Sequence, residues 1–222
     1  MIRNLIFDAY GTLISTGNGS VEATRRIFEP YSLGQSPEEI YKRWKALHKQ
    51  NIKQQTGFLT EREIFIQDLS MLFDFYHIQA DPVREVRPML ESLYHRSLFP
   101  ETRKVIGQLS GKYGIVIGST TDTEPLLHTL ESEALPIAPV FTSESLRCYK
   151  PEKAFYDAIL ARMGWQADEC CFIGDSLEDD VKGPMAAGMH AVLVDRHGRC
   201  KPESSAGPFQ IVSSLSELPM LS

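Results

Sequence analysis

Short, largely apolar runs alternate along the chain with longer segments whose apolar positions recur at helical spacing. The runs are Asn4–Phe7, Gly114–Ser119, Pro139–Thr142, Cys170–Ile173, Ala191–Val194 and Gln210–Val212. Each is too short for a stable helix, which predicts buried strands. Helical patterns separate most of them, so the strands are expected to lie parallel, joined by right-handed crossovers with helices on both faces. The predicted fold class is α/β, with a doubly wound, Rossmann-like sheet. In such sheets the reactive crevice lies beyond the carboxyl ends of the strands. Asp8, Ser119 and Asp175 all stand at such ends.

Between Ile14 and Leu98 no convincing strand pattern occurs, but helix starts do. Ser36 precedes Pro37-Glu38-Glu39, Thr60 and Glu63 have capping-box spacing, and Asp81 precedes Pro82. Residues 14–98 are therefore expected to form an inserted α-helical cap domain, with residues 1–13 and 99–222 forming the α/β core. After re-entry near Phe99-Pro100, a helix should run through Leu109 and end at Gly111. In the cap, Lys42, Lys45, Lys49 and Lys53 fall at the spacing of a solvated helix face. Trp44 and Leu47 are expected in the cap core, and Arg43 is a candidate substrate contact.

Length and composition suit a globular protein. At 222 residues there is room for one sizeable core, or a core with an insertion. Hydrophobic residues at 42% and charged residues at 23% exclude disordered and fibrous classes. A formal charge of −6 without a long basic run argues against nucleic acid, whose affinity comes from clustered Lys and Arg. A small anion can still bind a locally positive pocket. The N-terminal apolar run, Leu5-Ile6-Phe7, is too short for a signal-peptide core or membrane span, so a cytoplasmic protein is expected. Of the four cysteines, none forms a CxxC pair or zinc-ligand spacing, and Cys170-Cys171 read as small buried hydrophobes. No pattern specifies an oligomeric state.

Asp8 alone could be a metal ligand, a helix cap or a nucleophile. Gly11 and Thr12 turn the chain directly after it and can present backbone N–H groups to an anion. Gly174-Asp175-Ser176-Leu177-Glu178-Asp179-Asp180 crowds carboxylates at another strand end. Their mutual repulsion is relieved by a hard divalent cation with oxygen ligands, which points to Mg²⁺. Asp179 and Asp180 could instead cap the helix expected to run through Val181 and Ala187 to Gly188. Lys150 precedes Pro151, which is expected to open a helix and so fix a point cation near the strand ends. Ser119, Thr120 and Thr121 offer hydroxyls at a further strand end. No GxSxG, Walker A, HExxH or GxGxxG segment is present.

In this order the motifs Phe7-Asp8-Ala9-Tyr10-Gly11-Thr12-Leu13, Ser119-Thr120, Lys150-Pro151 and Gly174-Asp175 with Asp180 resemble those of the haloacid dehalogenase (HAD) superfamily. The insertion after the first motif matches the site of that family's helical caps. The resemblance implies a hydrolase with Asp8 as covalent nucleophile. As in the superfamily's phosphatases, Mg²⁺ would be held by Asp8, the Tyr10 carbonyl and Asp175. Ser119 and Lys150 would hold the transferring group, and Asp180 would orient Lys150. The expected partner is a small anionic substrate.

One departure bears on the chemistry. The phosphatases carry a second Asp two residues after the nucleophile as general acid, and Tyr10 stands there instead. Losing a positioned acid costs on the order of 10²–10⁴ in rate unless the leaving group is a good one. The Asp-Ala-Tyr-Gly-Thr-Leu wording is closer to the metal-independent 2-haloacid dehalogenases, with Asp8, Thr12, Ser119, Lys150, Tyr156 and Asp180 at matching positions. Those enzymes, however, lead into the final Asp with Ser-Ser-Asn, where this chain has Asp175-Ser176-Leu177. A carboxylate facing Asp8 is unfavourable without a cation, which tips the expectation toward a Mg²⁺-dependent phosphomonoester hydrolase. Dehalogenation is the alternative, and a catalytically weak ligand-binding member is a third reading.

Overall fold

The computed structural model describes residues 1–135, 137, 139–200 and 209–220. In chain order, β1 (Asn4–Phe7) and β2 (Ile14–Ser15) lead into α1 (Gly19–Phe28), α2 (Pro37–Gln54), α3 (Glu61–Tyr76), α4 (Pro82–Glu85) and α5 (Arg87–Ser92). Then follow β3 (Ser97–Leu98), α6 (Thr102–Leu109), β4 (Gly114–Ser119), α7 (Thr123–Ser132), β5 (Val140–Thr142), α8 (Ser143–Leu146) and α9 (Lys153–Met163). The described chain closes with β6 (Cys170–Gly174), a π-helical turn Leu177–Lys182, α10 (Gly183–Ala186), β7 (His190–Val194), β8 (Gln210–Val212) and a 3-10 turn Leu215–Met220.

Two compact units result. The first comprises Met1–Ser15, Ser97–Thr123 and Leu130–Ser222; the second comprises Thr16–Arg96 with Glu124–Thr129.

The first unit is built on a six-stranded sheet in the order β5-β4-β1-β6-β7-β8, with every pairing parallel. All residues of β1 and β6 are buried, which is why they read as continuous apolar runs rather than alternating ones. Ile6, Val116, Phe155, Tyr156, Ile159 and Phe172 form much of the core on one face. The chain moves from β1 to β4 on one side and later to β6 on the other, so the order reverses at β1. Registers Phe7↔Ile117 and Phe7↔Ile173 bring the carboxyl ends of these three strands level. That is the switch point at which open α/β sheets bind their ligands.

The second unit is helical, with a core that includes Phe28, Ile40, Trp44, Phe65, Leu69, Leu72 and Phe73. The expected capping box forms at Thr60/Glu63, the helix start expected at Ser36 proves to be a capping box with Glu39, and Asp81 accepts from Val83 N–H. Trp44 is buried, Leu47 packs against the core, and Lys42, Lys45, Lys49 and Lys53 are exposed. Among the described residues, no helix is long and apolar enough to cross a membrane.

Three local expectations change. Ile14–Ser15 and Ser97–Leu98 pair as a short antiparallel ribbon that the sequence pattern did not reveal, because two-residue strands carry no periodicity. Pro151 does not open α9: it follows a cis Lys150–Pro151 peptide in a turn, and the helix begins at Lys153. The helix expected after Asp180 starts earlier, as the π-helical turn at Leu177, because Ser176 rather than Asp179 is its cap.

Candidate active site

Asp8 is the first residue after β1. Its N–H donates to the Ile173 carbonyl (2.9 Å), so the neighbouring strand fixes its backbone. The side chain is 8% exposed. Lys150 Nζ donates to Asp8 Oδ1 at 2.7 Å and Ser119 Oγ donates to the same oxygen at 3.3 Å. Lys150 also donates to Asp180 Oδ1 (2.7 Å) and to the Gly118 carbonyl (3.3 Å). A lysine buried this deeply keeps its charge only because two carboxylates flank it.

The electrostatics follow from that sandwich. Burial alone would lower the Lys150 pKa, but attraction to Asp180 and Asp8 outweighs it and the pKa is raised. For Asp8, burial is the largest influence and raises the pKa against the pull of Lys150, with Asp175 adding to the rise. Burial likewise pushes Asp180 up to about 6 despite Lys150.

Asp175 follows Gly174, at the end of β6. One oxygen from each of Asp8, Asp175 and Asp180 lies within 4.8 Å of the others. Asp180 is engaged at both ends, by Lys150 on Oδ1 and by Ser176 N–H on Oδ2 (2.9 Å). Its role is therefore counter-ion to the lysine, which leaves Asp8 and Asp175 as the pair suited to a cation. Gly11 makes their approach possible. Its φ is +93°, and a Cβ there would lie 2.6 Å from Asp175 Oδ2.

Thr12 is buried in the same loop, and its Oγ1 has no hydrogen-bond partner among the described residues. Tyr10 lies between Asp8 and Gly11 and forms an isolated bridge with Ile14. Thr120 is half-buried one residue beyond β4. The Asp179 carboxylate accepts from Ser176 Oγ (2.9 Å), and its carbonyl accepts from Tyr156 OH. Tyr156 is wholly buried, with a phenol pKa raised chiefly by burial, so its hydroxyl is committed to that turn. Arg43 belongs to the helical unit, where its guanidinium stacks 3.9 Å from the centroid of Phe75.

One participant carried no sequence signal. Arg196, just after β7, donates to the carbonyls of Gly11 (3.3 Å) and Thr12 (2.8 Å). A single arginine beyond a strand belongs to none of the recognised motifs, and only the fold brings it back to the first loop.

A strand-end carboxylate held by a buried lysine and a serine hydroxyl, with a second carboxylate across a glycine turn, thus forms the polar centre at the carboxyl ends of the strands. The chain belongs to the haloacid dehalogenase-like hydrolases, whose family model matches residues 2–188. It is 25% identical to (S)-2-haloacid dehalogenase 4A of Burkholderia cepacia, over 98% of this chain and 93% of that one. It is 26% identical to phosphoglycolate phosphatase of Rhodospirillum rubrum, over 98% and 90% respectively. The magnesium-bound structure of the putative HAD-hydrolase YfnB from Bacillus subtilis superposes with a TM-score of 0.84 at 20% identity, covering 99% of this chain and 98% of that one. Dehalogenases and phosphatases are thus both among its relatives.

Proposed function

We propose that the protein is a Mg²⁺-dependent phosphomonoester hydrolase acting on a small anionic substrate through an aspartyl-phosphate at Asp8. The observation that carries this reading is the Asp175 carboxylate, seated against Gly11 within reach of Asp8. Three carboxylates facing one ammonium leave the crevice with net negative charge, which suits a cation and would repel an anionic substrate without one. Asp8, Asp175 and the Tyr10 carbonyl would hold Mg²⁺, which when bound neutralises this charge and draws density from the transferring phosphoryl group.

The chain's own residues do the rest. Lys150 and Ser119 hold Asp8 Oδ1, so Oδ2 is the oxygen free to attack phosphorus. Asp180 keeps the lysine charged and aimed. The phosphorus–oxygen bond to the leaving group breaks as the aspartyl bond forms, and water later hydrolyses that bond to regenerate Asp8. Thr12 Oγ1, buried and unclaimed, supplies a donor for the bound phosphoryl oxygens. Tyr10 offers no carboxylic acid, so the leaving group takes its proton from solvent. Turnover should therefore favour acidic leaving groups.

The second reading is metal-independent dehalogenation. Tyr10 in place of a general acid favours it, as does similarity to a dehalogenase over nearly the whole chain. A paired assay separates the two, using an aryl phosphate and 2-chloropropionate, each with Mg²⁺ or with EDTA. Phosphate release that requires Mg²⁺ is expected. Halide release persisting in EDTA, without phosphate release, would transfer the protein to the second reading. Asp8→Asn should abolish whichever activity is present, and an unimpaired variant would remove Asp8 as nucleophile.

A further inference from the structure

We infer that Arg196 is a positioning residue that sets the nucleophile loop through the carbonyls of Gly11 and Thr12. The inference rests on Asp8 being the reactive group, not on which electrophile it attacks. The Arg196 side chain is 13% exposed. Its Nε and Nη2 hold the two carbonyls, while Nη1 pairs with Glu101 Oε1 at 2.6 Å. The guanidinium carbon stands 3.6 Å from the centroid of Phe99. Glu101 Oε1 also accepts from Ser214 Oγ at 3.2 Å, so the ion pair is itself anchored.

Gly11 and Thr12 lie just before β2, and Phe99 and Glu101 lie just after β3. One guanidinium therefore holds both segments by which the chain leaves and re-enters the α/β unit. The same two segments are stitched together by Phe99 N–H and Thr102 Oγ1, which both donate to the Leu13 carbonyl (3.0 and 2.8 Å).

The consequence for the site follows from peptide geometry. A trans peptide is planar, so its N–H opposes its C=O. With the Thr12 carbonyl turned to Arg196, the Leu13 N–H is turned back and donates to the Ala9 carbonyl at 2.9 Å. With the Gly11 carbonyl held likewise, the Thr12 N–H faces away from the arginine as well. The grip thus presets the orientation of Thr12, whose Oγ1 is buried and unclaimed, and of the two peptides that follow Gly11. A planar fork with several donors can hold two carbonyls and a carboxylate at once, which a lysine ammonium on a flexible stem cannot reproduce.

The test uses the full chain with Arg196→Ala and Arg196→Lys, assayed on the substrate class and metal condition that wild type turns over. Amide hydrogen exchange is read in parallel. Arg196→Ala should lower kcat by at least about tenfold with KM nearly unchanged, because the defect lies in the placement of the reacting loop. Arg196→Lys should recover only part of the loss, whereas added guanidinium should restore Arg196→Ala and leave Asp8→Asn inert. Exchange in a peptide covering residues 9–14 should accelerate about tenfold or more while β4 and α9 keep wild-type protection. If wild type turns over neither substrate, the assigned function fails, and the exchange pattern still decides the clasp. Unchanged exchange in residues 9–14, or protection lost uniformly across the chain, overturns the inference. So does an active Arg196→Ala with wild-type kcat.

Discussion

Glycine at position 174 separates the last residue of the β6 apolar run from Asp175, and its missing side chain is what lets Asp180 reach Lys150. A Cβ there would overlap the Asp180 carboxyl group, whereas a Cβ at Gly107, in α6, would meet nothing within 4 Å. The two glycines therefore predict opposite outcomes for one substitution. Gly174→Ala must displace a buried carboxylate from its lysine, with an expected stability loss of about 1–3 kcal/mol and a fall in kcat. Gly107→Ala should stabilise by about 0.5–1 kcal/mol through helix propensity and leave activity intact. Urea unfolding and steady-state kinetics on both variants check this, and equal effects at the two sites would refute the packing argument. Of the residues now found together, Asp8, Ser119, Lys150 and Asp175 were legible because strand-end polar residues and an X-Pro lysine leave a mark in sequence, whereas Asp180 beside Lys150 was implied by the family resemblance. Arg196 and Glu101 were not legible: their partners are distant in the chain, and nothing local to either predicts a carbonyl clamp.

Among the elements, the inner strands of the sheet were legible because strands buried on both faces are written as unbroken apolar runs, and the edge strand β8, with Gln210 and Ile211 exposed, only as a short run containing Ile211 and Val212. The β2–β3 ribbon was not, since pairing across the insertion depends on tertiary closure rather than on local pattern. In the helical unit the Thr60/Glu63 capping box was legible from two residues, but the polar centre joining α2 to α3 was hidden among core positions. There Asp68, wholly buried, accepts from Trp44 Nε1 (3.1 Å) and Asn51 Nδ2 (2.6 Å) and bonds His48 Nδ1 (2.7 Å). His48 in turn stacks on Phe65 with ring centroids 4.6 Å apart. Spacing along α2 makes this possible, since Trp44, His48 and Asn51 share one helix face. Removing the shared acceptor strands these donors in a dry core. Asp68→Ala should cost about 3–5 kcal/mol, with hydrogen exchange accelerated across residues 37–76 before the parallel sheet responds. A loss below about 1 kcal/mol would mean that the donors find other acceptors.

For the whole molecule, the buried acidic cluster ties stability to pH and, on the proposed reading, to Mg²⁺. Burial raises the pKa of Asp8, and Asp180 is pushed up to about 6, so both hold a proton more tightly when folded than when unfolded. A carboxylate raised in this way contributes stability that is fully present below its unfolded pKa of about 4 and is lost as pH rises through the folded value. Glu101 behaves oppositely: against burial, the Arg196 hydrogen bond holds it below the usual range, so its contribution is lost only in acid. As pH rises through about 6 the cluster should therefore dominate, and the thermal midpoint in EDTA should fall there. On the proposed reading, Mg²⁺ bound to the deprotonated carboxylates should reverse the loss, by about 2–3 kcal/mol at a hundredfold excess over its Kd. That corresponds to a rise of several degrees near pH 7.5 for a chain of this size, shrinking toward pH 5 as protons compete with the metal. Differential scanning calorimetry across this range, with EDTA or excess Mg²⁺, separates the cases. A midpoint indifferent to Mg²⁺ at pH 7.5 would deny the cluster a metal and return Asp8 to the dehalogenase reading.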